Sequence, residues 1–376
     1  MEYVNFGSTG YQVSKLGFGA MRFPMLEING EKAIDEDKAI PLMQRAFDLG
    51  VNYIDTAPYY CEKLSEIAVG KALKGYRDKV YVSTKNPIED LSGDNWMRRL
   101  ETSLEKLDTD YIDFYHFWGI KLESFKSWQG QDFGPVEAAL KAKEQGLIRH
   151  ISFSFHDNPD NMPEIIDSGL FESVLLQYNL LDRSNEENIE YAHSKGLGIV
   201  AMGPVGGGRL GAPSEVIQGL LKEKPKSSAE MAMRFVMSNS KVNITLSGMS
   251  NMEQLEENAA LASKTGHLTD DERVRAIEIL KENRKLAELY CTGCNYCLPC
   301  PQKINIPYIF GAMNNHRIYE VTNFAKQQYK EILDGTSWVK TADASKCTEC
   351  AACETKCPQK LPIIKQLKET HETLSN

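Results

Sequence analysis

Positive charge is short in this chain: 43 Lys and Arg against 52 Asp and Glu leave a formal net charge of −9. Without a cationic surplus to displace counterions from phosphate, the sequence argues against nucleic acid as a partner, and the acidity reads as a solubility feature. No apolar run approaches the about 18 residues that cross a bilayer, so no membrane association is expected. The opening Met1-Glu-Tyr-Val-Asn-Phe-Gly7 lacks an apolar, positively flanked leader. A cytoplasmic setting is expected from the cysteines, which read as thiols kept reduced and metal-loaded. Cysteine is nearly absent before residue 291, where Cys61 stands alone, and the other eight fall in two compact runs near the end. A G-x-G-x-x-G fingerprint is also missing after the first strand-like segment, because Gly17-Phe-Gly19-Ala-Met-Arg22 breaks it. That speaks against a Rossmann nucleotide site.

What is present has the rhythm of a repeated strand and helix. Apolar, β-branched or aromatic runs occur at Lys15–Arg22, Val51–Thr56, Val80–Lys85, Tyr111–Trp118, His150–His156, Ser173–Asn179, Gly198–Pro204 and Asn243–Gly248. Amphipathic segments lie between them, among them Asp37–Leu49, Asn95–Lys106, Pro135–Gln145, Asn185–Lys195 and Ser228–Met237. Gly50, Gly146 and Gly196 follow three of these where a helix C-cap belongs. Eight such repeats predict an α/β fold, a closed (β/α)8 TIM barrel over residues 1–285, with a doubly wound open sheet as the alternative. Residues 286–376 are then a second, small domain, joined through a helix at 281–289.

Chemistry on such a barrel belongs at the C-terminal ends of the strands. Those ends carry Asp55, Lys85, His116 and Trp118, Ser154 and His156, and Gln177 and Asn179. An Asp and a Lys inside apolar strands must be paired, since either charge alone is costly to bury. From the residues themselves the pair is either part of an active site or a structural ion pair.

Asp55-Thr-Ala-Pro-Tyr-Tyr60, with Ser65-Glu66 and Gly70 after it, resembles the signature of the aldo-keto reductases. Val82-Ser-Thr-Lys85, Asp110-Tyr-Ile-Asp-Phe-Tyr115, Ile151-Ser-Phe-Ser154, Gln177-Tyr-Asn179 and Glu257-Asn258 follow in the family's order. The resemblance implies an NAD(P)-dependent oxidoreductase acting on a small-molecule carbonyl substrate, with Tyr60 as general acid. Tyr59 is the rival, but the five-residue offset from Asp55 favours Tyr60. A phenol with a pKa near 10 is a poor acid at neutral pH, and Lys85, held by Asp55, is expected to lower it. Where the family has a histidine, this chain has Trp118 in Asp113-Phe-Tyr115-His-Phe-Trp118. His116 shares its face by strand alternation but sits about 6–7 Å deeper, either reaching the site or packing as a core histidine. The same resemblance places Ser154 and Gln177 at the nicotinamide carboxamide, with Asn179 one alternation further on, and Met202 against the ring. Glu257 and Asn258 match the adenine-contacting pair, and the glycine run Gly206-Gly-Gly208-Arg209 either covers the pyrophosphate or serves as a hinge loop. The cations that grip a 2′-phosphate align with Gly248 and Gln254. NADP, the family's usual coenzyme, and NAD both remain open.

The cysteine runs read Cys291-x2-Cys294-x2-Cys297-x2-Cys300-Pro301 and Cys347-x2-Cys350-x2-Cys353-x3-Cys357-Pro358. Disulfides and structural zinc are the alternatives, but the second run has the spacing of bacterial ferredoxins. The pattern resembles two-cluster ferredoxins and implies two [4Fe–4S] clusters. One takes Cys291, Cys294, Cys297 and Cys357, and the other takes Cys347, Cys350, Cys353 and Cys300. The expectation is therefore a small α-helical, ferredoxin-like iron–sulfur domain that relays single electrons, with an electron-transfer protein as a partner. A carbonyl reductase with structural or sensory clusters, and a nucleotide-binding regulatory subunit with little turnover, are the alternatives. Cys61 is expected to be a packed thiol rather than a redox-sensitive one.

Overall fold

The computed structural model describes residues 1–28, 30–130, 132–211, 213–286, 291, 295, 297–357 and 361–375. Its contacts group the chain into two compact units: Met1–Pro204 with Met233–Leu268, and Val205–Ala232 with Thr269–Asn376.

The first unit is a closed barrel of eight parallel strands in sequence order: β1 Leu16–Gly19, β2 Tyr53–Asp55, β3 Tyr81–Asn86, β4 Ile112–Ile120, β5 Ile148–Phe155, β6 Ser173–Gln177, β7 Gly198–Met202 and β8 Ile244–Ser247. Strands buried on both faces read as continuous apolar runs, and each of the eight strand-like segments of the sequence overlaps one of these strands. The helices recur where the periodicity placed them, at Glu36–Asp48, Gly93–Leu107, Pro135–Glu144, Glu186–Ser194 and Ser228–Met237. Gly50, Gly146 and Gly196 take φ values of 94°, 73° and 81°, the left-handed geometry that ends a helix cheaply only at glycine. Phe6, Tyr53, Phe114, Leu175, Val200 and Ile244 form a buried cluster in this unit. A short hairpin, Tyr3–Asn5 with Gln12–Ser14, precedes the barrel and leans on the same cluster.

Register decides which strand-end groups meet. Asp55 pairs with Ser83, Lys85 with His116, and His116 with Ser152. Asp55 and Ser83 thereby share one level of neighbouring strands, and Lys85 and His116 share the level two residues further along.

The second unit is mostly helical, with helices at Asp270–Leu286, Ile306–Arg317, Thr322–Leu333, Ala352–Lys356 and Ile363–Leu374. Among its described residues there is no strand, so the expected helical character holds and the ferredoxin-like one is corrected. Its core gathers Ile306, Ile309, Phe310, Met313, Tyr329 and Leu367. The segment after β7 belongs to it, tied in by Ser214 Oγ donating to the Tyr319 carbonyl at 2.5 Å. No described helix is long and apolar enough to cross a membrane.

Candidate active site

At the C-terminal ends of the barrel strands lies a buried polar chain. Lys85 Nζ donates to both oxygens of Asp55, at 2.8 and 2.7 Å, and to the Thr56 carbonyl at 2.8 Å. Both residues are only 2% exposed. Burial works to lower the Lys85 pKa, but Asp55 and Tyr60 outweigh it, so the ammonium stays charged. Ser83 Oγ donates to Asp55 Oδ1 at 2.8 Å and lies 2.8 Å from His116 Nε2. A hydroxyl carries a single proton, and here the carboxylate takes it, so Nε2 carries the imidazole proton and donates to Ser83. Burial first, and then Lys85, push the His116 pKa down to about 3. The imidazole is neutral, fully buried and committed to Ser83.

Tyr60 stands over this chain, with Lys85 Nζ 5.1 Å from its ring centroid. Burial raises the phenol above its ordinary value, and the opposing pull of Lys85 does not overcome it. The expected net lowering is therefore not what this pocket gives; dehydration of the phenolate is the larger effect. Tyr59 is exposed instead, its hydroxyl hydrogen-bonded to Glu89 and 3.3 Å from Arg99 Nη1. The Tyr60 segment is held by the motif that follows it. Ser65 Oγ donates to the Ala20 carbonyl at 2.7 Å, and Thr84 Oγ1 donates to Glu66 Oε1 at 2.8 Å. Cys61, Glu62 and Lys63 all take positive φ (50°, 55° and 70°), a strained run for non-glycine residues that turns the chain directly after Tyr60. The Cys61 thiol is half-buried, and burial raises its pKa, as expected of a packed thiol rather than a reactive one.

Trp118 faces both tyrosines, with ring centroids 5.4 Å from Tyr59 and 6.0 Å from Tyr60. The β4–β5 pairing is irregular between Phe117 and Ile120. There Gly119 takes φ 62° and donates its N–H to Ser154 Oγ at 2.8 Å.

The proposed coenzyme contacts are distributed unevenly. Ser154 is fully buried beneath the β4–β5 ends. The Gln177 amide lies against Gly203, whose φ is 63° and where a Cβ would stand 2.6 Å from Gln177 Oε1. Glycine leaves room for that amide, an arrangement that suits a carboxamide partner. Asn179 is consumed by its own loop, its amide donating to the Gly203 carbonyl and its oxygen accepting from Leu181 and Asp182 N–H. Met202 is half-buried at the end of β7. Asn258 donates to Ser247 Oγ at 3.2 Å, while Glu257 is exposed and Gln254 accepts from Ser250. Gly206 lies in the second unit, the first of three successive glycines with positive φ.

The two-cluster expectation is corrected. Among the described residues, no group of three or more His, Cys, Asp or Glu side chains is placed to hold a metal ion. Cys297, Cys300, Cys347, Cys350 and Cys353 line one pocket without converging. Instead Cys297 is buried in the apolar core of the second unit, and Cys291, Cys300, Cys347, Cys353 and Cys357 pack against it, as small hydrophobes do. Cys294 lies outside the described residues. A [4Fe–4S] cluster needs four converging thiolates. The described donor set does not fit one, and neither an electron relay nor an electron-transfer partner is supported.

Sequence reasoning missed Ser83, although it lies two residues before Lys85 and so on the same face of β3. It also missed Gly119 and Gly203, whose roles depend on neighbouring strands.

The model of the Aldo/keto reductase family matches residues 15–282, and that of the 4Fe-4S dicluster domain matches residues 290–361. L-galactose dehydrogenase of Arabidopsis thaliana is 30% identical over 73% of this chain and 93% of its own length. An uncharacterised oxidoreductase of Schizosaccharomyces pombe is 28% identical over 66% of this chain and 82% of its own. Among solved structures, aldo-keto reductase AKR11C1 from Bacillus halodurans (holo form) covers 74% of this chain and 96% of its own, with 29% identity and a TM-score of 0.63. An aldo-keto reductase domain is thus fused here to a segment matching the dicluster model, and the chain belongs to the aldo-keto reductase family of NAD(P)-dependent oxidoreductases.

Proposed function

We propose that the barrel reduces the carbonyl group of a small molecule, with Tyr60 as the proton donor and Lys85 and Asp55 as the groups that tune it. The observation that carries this reading is the buried Asp55–Lys85 pair, which sets an ammonium 5.1 Å from the Tyr60 ring centroid. NAD(P)H, when bound, supplies the hydride. On reduction the carbonyl oxygen would take the Tyr60 proton. Lys85 stabilises the phenolate left behind, and solvent restores its proton. Ser154 and Gln177 orient the nicotinamide carboxamide, and Asn258 borders the adenine end. The function is assigned to the barrel unit; the second unit, Val205–Ala232 with Thr269–Asn376, is given no redox role.

Tyr59 and Trp118 form an aromatic wall beside Tyr60, which favours substrates with a flat or apolar face. The plant relative's name adds aldoses such as L-galactose to the classes worth testing. The test follows NADH and NADPH consumption with aromatic aldehydes, simple ketones and aldoses, in the wild type and in Tyr60→Phe. Turnover that drops by several orders of magnitude in Tyr60→Phe supports the assignment. Equal turnover in both proteins refutes it.

A further inference from the structure

Trp118 occupies the position at which the resemblance calls for a carbonyl-orienting histidine, and His116 cannot move up to replace it. His116 is fully buried and bound to Ser83. The other histidines lie elsewhere. His150 sits near the start of β5 against Tyr11 and Glu172, and His193 is in the helix Glu186–Ser194. His267 offers its carbonyl to Arg234, and His316 and His371 belong to the second unit. Among the described residues, His156 is the one histidine at the C-terminal end of a strand that is also exposed.

His156 directly follows β5, two residues beyond Ser154. Ser154 accepts from the N–H of Gly119, the residue after Trp118. That bond draws the ends of β4 and β5 together, and a Cβ on Gly119 would stand 3.9 Å from His156 Cδ2. The imidazole thus borders the Trp118–Gly119 segment, whose indole is 6.0 Å from the Tyr60 ring.

Resting on the reductase reading above, we propose that His156 is the second hydrogen-bond donor to the substrate carbonyl, a role moved one strand round the barrel by the Trp118 substitution. Its N–H donates to the oxygen on which charge develops, and it transfers no proton; Tyr60 alone does that. Although the residue is open to solvent, the partial burial of its ring, and then the charge of Lys85, hold the imidazole below its ordinary pKa, so at neutral pH it is a neutral donor. Two preorganised donors converging on one developing alkoxide stabilise it more than a single phenol does.

The experiment compares the full-length wild type with His156→Phe, His156→Gln and Tyr60→Phe on the best substrate of the carbonyl panel. Coenzyme affinity is followed by fluorescence titration to establish that each variant is folded. His156→Phe is expected to lose about 10²–10³-fold in kcat, the size of effect seen when one such donor is removed, with coenzyme affinity unchanged. His156→Gln, which keeps an N–H donor, is expected to recover part of that loss. Wild-type kcat in His156→Phe beside an inactive Tyr60→Phe overturns the role of His156 alone. Full activity in Tyr60→Phe overturns the reductase reading, and His156 with it.

Discussion

Lys85 Nζ lies 2.7 Å from Asp55 Oδ2 with both side chains buried in the barrel mouth, so each charge is compensated by the other away from water. Breaking such a pair on one side leaves an uncompensated charge, which costs about 3–5 kcal/mol, whereas removing both partners costs far less than the sum. Lys85→Met and Asp55→Asn are each expected to destabilise the fold by that order, and the double variant less than the two added together. Urea unfolding of the four proteins measures the coupling. Strict additivity means that the pair is not the unit the geometry indicates. Turnover is expected to be lost in all three variants, since each removes a group acting on Tyr60.

His116 predicts an acid sensitivity whose sign is definite. Its folded pKa is pushed down to about 3, while in the unfolded chain it lies near 6.5. Between those values the unfolded state binds a proton that the folded state refuses, so stability is full above pH about 6.5 and falls towards pH about 3. Urea midpoints of the wild type are expected to drop more steeply between pH 7.5 and 5 than those of His116→Asn. Parallel curves for the two proteins contradict the assignment.

Gly203 is expected to control the coenzyme amide pocket. Its positive φ penalises any side chain, and a Cβ would press on Gln177 Oε1. Gly203→Ala is expected to weaken coenzyme binding roughly tenfold, equivalent to about 1.4 kcal/mol, with little change in the carbonyl KM. A titration showing wild-type coenzyme affinity removes Gln177 from the list of contacts.

Trp118 is expected to act on substrate choice. Aromatic contacts contribute about 0.5–1.5 kcal/mol beyond the area they bury. Trp118→Leu is therefore expected to raise KM for aromatic aldehydes about 2- to 12-fold while leaving small aliphatic ketones nearly unchanged. Equal shifts for both substrate classes count against a stacking role.

Local pattern determined much of this protein. Continuous apolar runs, helical periodicity and glycines at helix ends specify eight strands in order, because those signals depend on neighbours a few residues away. Asp55 and Lys85 were legible for the same reason, each at a recognisable strand end, whereas Tyr60 was legible only through the family resemblance. What the tertiary structure alone decided depends on register between strands. The alignment of Asp55 with Ser83 and of Lys85 with His116 binds His116 into the interior and leaves His156 at the mouth, and no periodicity in one strand reports on its neighbour. Cysteine spacing specified a motif but not convergence. In the described residues the apolar surroundings of Cys297 prevail, because a thiol without a gathered set of partners packs as a small hydrophobe.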